Sequence, residues 1–521
     1  MSRPLLKNTS ITGAATLLSR LTGLLRDTLM VQTLGGGVVS DAFYVAFKIP
    51  NFLRRLFAEG AFSQSFVPVI SEYRTQRDQA EVRELVSGVA GTLGTLLLVV
   101  SALGVLASPV IIMLFAPAWA IRGSEGFDLA VQMLRWTFPF LFFISMTSLL
   151  AGVLNSYGRF FLPAFTQVIM NLVMIGAAAW IAPGSDNPGL VLAIAVFVSG
   201  AAQVVFQLPA VARLGLLSWP RWRPAYEGVR KVGRLMVPGI IGSSAMQISL
   251  LLDTQIATFL VAGSVTWLYV ADRLMEFPLG VFSIALATVI LPGLSANHAS
   301  KSMEQFSATL DWALRLVVVL ASPAAVGMLC FAGPITAMIM GYRAFDAENV
   351  LHTSYALMAY SWGLLAFSFV KVLVPGYYAR QNTRRPVRIA MIALAVSTGL
   401  NVFVVLPAAH FGLPQPHVLI ATATCIGALV NTVLLWRGLT AEGVLKPSAG
   451  WRKLLLRVLA ANVLMGALLW WMAGDTLRWM QMPFLERLWR GGGGIMLAAA
   501  VYFAVLFLLG LRQHHLRSAR S

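Results

Sequence analysis

"YVAFKIPNFLRRLFAEGAFSQSFVPVIS", residues 44–71, starts as an apolar helix and then sets Lys48, Arg54, Arg55 and Glu59 into a chain that is 58% hydrophobic and only 12% charged. The stretch has a second copy. "YVAFKIPNF" from Tyr44 aligns with "YVADRLMEF" from Tyr269, which places Lys48 opposite Arg273, and Pro68 and Ser71 then fall opposite Pro292 and Ser295. A further echo pairs Tyr157, Arg159 and Pro163 with Tyr378, Arg380 and Pro386. The separation equals six of the spans described next, so the chain reads as two like-oriented halves, an arrangement in which transporters hold a substrate between the repeats.

Apolar runs of about 20 residues, the length that crosses a ~30 Å hydrocarbon layer as a helix, recur along the whole chain. Gly, Pro and charged residues divide them into fourteen spans that start near residues 11, 38, 85, 128, 160, 190, 235, 265, 309, 350, 387, 415, 453 and 491. The expected fold is an all-α polytopic membrane protein: a first lobe of helices 1–6 (residues 1–225), a second of helices 7–12 (226–440) around a central cavity, and helices 13 and 14 (441–521) outside the repeat. Soluble domains carry about 25% charged residues, so no separate soluble domain is expected. Loops on the N-terminal side of the spans hold 27 Lys and Arg, those on the other side 5, which predicts that both termini are cytoplasmic. The formal charge of +18 is therefore an orientation signal and implies no nucleic-acid partner. The N-terminal segment reads as a retained first helix rather than a signal peptide, because Arg20 and Arg26 interrupt its apolar run.

Several charges fall inside the spans. Arg20 and Arg26 lie roughly 13 and 22 Å beyond a helix start at Ile11, and Arg273 roughly 12 Å beyond one at Val265. Glu276, three residues after Arg273, shares its helical face and offers an ion pair. An arginine facing lipid at such depth costs at least ~2.5 kcal/mol, so these groups are expected to face the bundle interior or a wet cavity. They have two readings: helix-joining ion pairs with Asp27, Asp41, Glu59, Asp272 or Glu276, or a path for an anionic substrate. The guanidinium fork suits phosphate oxygens, which favours phosphorylated cargo. Arg54 and Arg55 stand near the end of helix 2, where snorkelling to the surface is an equal alternative. Pro50 and Pro278 each break a helix and permit bending.

Asp253, alone in "QISLLLDTQIATFL", is placed to take up a proton, to bind Na⁺ or to accept a hydrogen bond from Ser or Thr. The chain has no GxxxxGK[ST] motif, so an ion gradient or the membrane potential is the expected source of work. Cys330 and Cys425 lie in apolar runs and the six histidines are scattered, which leaves no metal-ligand pattern and no cofactor. A polymerase or glycosyltransferase would need a large loop with catalytic carboxylates. A drug exporter would favour an acidic or aromatic cavity, and an anion channel would need no repeat.

"SRLTGLLRD", "SDAFYVAFKIPNFLRRLFAEGAFSQSFVPV", "GSVTWLYVADRLMEFPLGVFSIALATVILP" and "VKVLVPGYYARQNTRRPV" together resemble the bacterial MurJ (MviN) lipid II flippases of the multidrug/oligosaccharidyl-lipid/polysaccharide exporter superfamily. The resemblance runs over essentially all the spans. It implies movement of undecaprenyl-pyrophosphate-linked disaccharide-pentapeptide from the inner to the outer leaflet of the cytoplasmic membrane, with helices 13 and 14 forming a groove for the lipid tail. Lipid II, membrane lipids and cell-wall synthesis proteins are the implied partners. By motif position the family's cavity arginines correspond to Arg20, Arg26, Arg54 and Arg273, with Asp41 and Glu59 as sensitive neighbours; Asn51 and Glu276 complete the candidate binding set. Some family members bind Na⁺ between helices 7, 11 and 12, and Asp253, Asn401 and Thr422 or Thr424 resemble parts of that site. The acid expected one turn after Asn401 is replaced by Val405, which leaves Na⁺, H⁺ or the membrane potential alone as coupling sources. An ion-coupled drug or other polysaccharide-lipid exporter of the same superfamily is the alternative.

Overall fold

The computed structural model describes residues 3–55, 62–299 and 302–511, so Glu59 lies outside the described residues. The chain forms two compact units, Met1–Val265 and Thr266–Ser521, both helical, and no strand occurs among the described residues. The first unit holds α1 (Arg3–Leu34), α2 (Val38–Arg54), α3 (Ser63–Gln76), α4 (Gln79–Leu106), α5 (Ser108–Phe115), α6 (Pro117–Arg122), α7 (Glu125–Thr137), α8 (Phe140–Ser156), α9 (Phe161–Gly176), α10 (Pro188–Ala212) and α11 (Glu227–Ala257). From the boundary onward run α12 (Ser264–Ala299), α13 (Met303–Ile339), α14 (Ala347–Tyr378), α15 (Arg384–Leu400), α16 (Leu406–His410), α17 (Pro416–Ala441), α18 (Trp451–Ala473), α19 (Thr476–Gln481) and α20 (Phe484–Leu508).

Ten helical stretches among the described residues are long and apolar enough to cross a membrane. The long helices outside that set are α1, α2, α11 and α12, which carry Arg20, Arg26, Asp41, Lys48, Asp253 and Arg273. The protein is thus an all-helical multi-pass membrane protein.

Capping residues set several starts. Asp78 accepts the Glu81 N–H at the head of α4, Asn187 that of Leu190 before Pro188 of α10, and Asp346 that of Asn349 at α14. In the first unit α1 packs on α9, α2 on α7 and α8 on α10. The start of α11 packs on α3 and α4 through Val229 and Val232, which join Tyr73, Leu85 and Val86 in one apolar core. In the second unit α13 packs on α14 and α18, and α14 on α17. Small residues permit the close crossings: a Cβ on Gly363 of α14 would lie 2.3 Å from Cys425 Sγ of α17.

Proline lies inside α2, α3, α10, α13 and α14, and at two of these positions a hydroxyl from a neighbouring helix covers the carbonyl that it frees. Pro50 of α2 lacks an N–H, which deprives the Ala46 carbonyl of its helical partner; Thr137 Oγ1 of α7 donates to it at 3.1 Å. Pro323 of α13 frees the Val319 carbonyl in the same way, and the Tyr502 hydroxyl of α20 donates to it at 2.8 Å. A bare carbonyl in hydrocarbon is costly, so Thr137→Val is expected to destabilise the protein by about 1–3 kcal/mol, read as a lower unfolding temperature in detergent. Pro50→Ala returns the missing N–H, and in that background Thr137→Val should cost little. An equal cost in both backgrounds would refute this account.

Candidate substrate site

On α1, Arg20 is exposed and forms no ion pair among the described residues. Six residues later Arg26 is buried, with 6% of its surface exposed. Its Nε and Nη2 donate to Asp27 Oδ1 at 2.9 and 2.6 Å, and Nη1 donates to Asn171 Oδ1 of α9 at 3.0 Å. Asn171 Nδ2 in turn donates to Ser19 O and Thr22 Oγ1 of α1. Both edges of the Arg26 fork are thereby engaged in a lock between α1 and α9. Of the two readings the sequence left open for Arg26, the geometry is that of the helix-joining pair.

α2 supplies a polar face. Near its start the buried Asp41 accepts the Gly263 N–H at 2.7 Å through Oδ2. Gly263 has φ 95°, a left-handed conformation natural to glycine, and it closes the turn between α11 and α12. Lys48 Nζ donates to Thr254 Oγ1 of α11 at 2.9 Å, and Arg54 Nε donates to Asn51 Oδ1 at 3.2 Å, one turn back. Arg54 and Asn51 are both half-buried. Asp253, beside Thr254, is also half-buried and belongs to this unit.

In the second unit Arg273 and Glu276 form the expected pair, Nη1 donating to Oε2 at 2.7 Å, and the guanidinium also lies 5.5 Å from the centre of the Tyr269 ring. Both remain partly open to solvent. The first turns of α12 are held by Trp267, which stacks on His352 at 4.1 Å and donates its indole N–H to Asn349 Oδ1 of α14. This anchor fixes the helix that presents Arg273. Asn401, buried, opens a π-helical turn, Asn401–Val405, a local widening often found at functional positions. Thr422 and Thr424 donate their hydroxyls back to Val418 O and Ile420 O of their own helix. No group of three or more His, Cys, Asp or Glu that could hold a metal occurs among the described residues.

An apolar groove of about 620 Å³ runs along α18, bounded by Leu365 and Phe369 of α14, Trp436 of α17, and Trp451 and Leu459 of α18. A second hollow of about 340 Å³ shares Leu459 and Asn462 with it and continues past Gly466, Ala467 and Trp470. At the far end of the unit the buried Arg487 donates to the backbone carbonyls of Ala337, Gly341, Met480 and Met482 and to Met480 Sδ, and lies over the Tyr342 ring at 4.6 Å. It caps α13 and ties α20 to it. The sequence reading passed over Arg487, Thr137 and Asn171. An asparagine within an apolar run was a visible signal for the last, but its partner is 145 residues away.

Exposed and half-buried arginines on α1, α2 and α12, with an apolar groove along α18, are the polar and apolar surfaces of this multi-pass helical membrane protein. The fold agrees: a solved structure of lipid II flippase MurJ in an inward closed conformation matches with a TM-score of 0.77, covering 96% of this chain and 97% of that one at 23% identity. An inward-facing multidrug resistance MATE family transporter of the MOP superfamily gives 0.65 over 83% of this chain and 98% of that one at 14% identity. The sequence profile for lipid II flippase MurJ matches residues 30–489. The chain is 42% identical over 513 residues to a probable lipid II flippase MurJ of Haemophilus influenzae, covering 96% of this chain and 99% of that protein. A probable lipid II flippase MurJ of Vibrio cholerae is 42% identical over 100% of this chain and 99% of its own length, and the lipid II flippase MurJ of Burkholderia cenocepacia is 38% identical over 96% and 97%. The chain belongs to the lipid II flippase MurJ family. It is a transporter, not an enzyme.

Proposed function

We propose that this protein carries lipid II, undecaprenyl-pyrophosphate-linked peptidoglycan precursor, from the inner to the outer leaflet of the cytoplasmic membrane by alternating access. Family membership over nearly the whole chain is the observation that carries the reading. Arg20, Arg54 and Arg273, with Asn51 and Glu276, bind the pyrophosphate; Asp41 and Arg26 position α2 and α1; Glu59, outside the described residues, joins the set by motif alone. The support is electrostatic: Arg20 is exposed without an ion pair among the described residues, and the partly exposed Arg273 lies beside the Glu276 carboxylate. In this reading α1, α2, α11 and α12 also cross the membrane, both termini are cytoplasmic, and the groove along α18 takes the polyprenyl tail. Coupling draws on Na⁺ or H⁺ at Asp253, Asn401, Thr422 or Thr424, or on the membrane potential alone. Cell-wall synthesis proteins that use lipid II are the accompanying partners.

The test is a strain depleted of its own lipid II flippase. Expression of this chain should restore growth and clear the precursor that accumulates on the cytoplasmic leaflet; persistent accumulation despite normal membrane abundance would defeat the proposal. Ala467→Trp fills the narrower hollow from an exposed position. It is expected to lower precursor export by about tenfold or more, the equivalent of some 1.4 kcal/mol of lost tail binding, with unfolding temperature unchanged.

A further inference from the structure

The segment between α10 and α11, "RLGLLSWPRWRPAY", is unusual for a connecting loop in being nailed to a membrane helix. Arg221 N–H donates to Ser87 O of α4 at 3.1 Å, the Ser87 hydroxyl donates back to Trp219 O, and Arg223 N–H donates to Thr92 Oγ1. Gly91 makes the approach possible: a Cβ there would sit 2.2 Å from Arg221 O. Leu216 is buried in the core with Leu85 and Val86. What faces outward is different in kind. Trp219 and Trp222 are 87% and 57% exposed, and Arg213 and Arg221 are exposed beside them.

Depth along α4 gives this surface a meaning. Its apolar run begins near Leu85, so Ser87 to Thr92 lie about 3–10 Å past the point where the helix enters hydrocarbon. Beyond Thr92 the helix exposes Leu96, Leu98 and Val99 directly. The loop therefore ends where lipid contact begins, the level at which tryptophan rings settle and arginines reach back to headgroups. The carboxylates of this face are already taken, Glu84 by Arg223, Glu72 by Lys231, and Glu81 and Glu227 by Arg77. Arg213, Arg221, Arg230 and Arg234 are left exposed on the side that the charge bias assigns to the cytoplasm.

We propose that residues 213–226, held on α4, form a binding site for the anionic headgroup of a phospholipid in the cytoplasmic leaflet, with Trp219 and Trp222 seated between the acyl chains and Arg213 and Arg221 on the phosphate. The site is independent of what the chain transports. Because α11 starts at Glu227, directly after the segment, the lipid bears on the helix that carries Thr254 and Asp253.

The test uses the purified full chain in phosphatidylcholine vesicles doped with brominated phosphatidylglycerol or, in parallel, brominated phosphatidylcholine, reading the part of the tryptophan quenching that Trp219→Phe/Trp222→Phe removes. The phosphatidylglycerol probe should quench that part at a mole fraction at least ~5-fold lower than the phosphatidylcholine probe, as expected for one or more basic residues near the surface. Arg213→Gln/Arg221→Gln should erase the preference while the quenching by phosphatidylcholine persists. Screening by ~0.5 M salt should weaken it in the unaltered protein, a reading that holds even should the variants not fold. Equal quenching by both lipids, or a preference indifferent to salt and to the arginines, reduces the surface to headgroup-independent lipid contact and overturns the proposal.

Discussion

Arg20→Ala and Arg273→Ala are each expected to abolish growth in a strain that depends on this chain, with membrane abundance and unfolding temperature close to those of the parent. Arg20 is exposed, and the Arg273 pair with Glu276 lies within one helix and partly in solvent. Each would give up charged hydrogen bonds to a diphosphate, worth about 1.5–3 kcal/mol apiece, or roughly 10- to 150-fold in cargo affinity. Lysine at the same positions separates the two contributions. It keeps the charge and loses the planar fork, so partial export by Arg273→Lys alongside none by Arg273→Ala would identify bidentate recognition. Full export by both alanine variants would leave the pyrophosphate reading without its residues.

Arg26→Ala should fail differently. The guanidinium is the immediate counter-charge of Asp27, whose exposure is 2%, and it also bridges to Asn171 on α9. Removing one member of a buried pair costs about 3–5 kcal/mol, enough to deplete the folded protein from the membrane. Neutralising the other member should undo much of this, so Arg26→Ala/Asp27→Asn is expected to recover abundance relative to Arg26→Ala alone. The measurement is membrane content by immunoblot together with the unfolding temperature in detergent. Wild-type abundance and stability in Arg26→Ala, coupled with lost export, would move Arg26 from the α1–α9 lock to the cargo.

These two expectations separate residues that look alike in the sequence. Arg20 and Arg26 share a helix and a similar apolar setting, and composition alone ranks them together; only Asn171, far along the chain, turns one into a helix joint. Local spacing was legible wherever the interaction stays within one turn or two, as with Arg273 and Glu276. Hydropathy was legible for helices such as α4, α10 and α13, which face lipid or an apolar core along their length. It says less about α1 and α2, whose apolar runs are interrupted by Arg20, Arg26, Asp41 and Lys48. Pro50 announced a broken helix, whereas the hydroxyl that answers it comes from Thr137 on α7 and depends on tertiary packing. The repeat read from the sequence assigns the seventh span to the second half, while side-chain packing seats the start of α11 on α3 and α4 of the first unit. Thr422 and Thr424 show the same limit: the sequence offers two hydroxyls, and the structure spends their protons on their own helix.

The two repaired prolines carry a mechanical implication. An N–H in a helical ladder is directional and rigid, and bending there tears the bond. A threonine or tyrosine hydroxyl reaching across from another helix can swivel about its own C–O axis and follow a moving carbonyl. α2 and α13 can therefore flex at Pro50 and Pro323 while the oxygen stays covered. Replacing either donor would stiffen the joint by making every bent posture wet or bare.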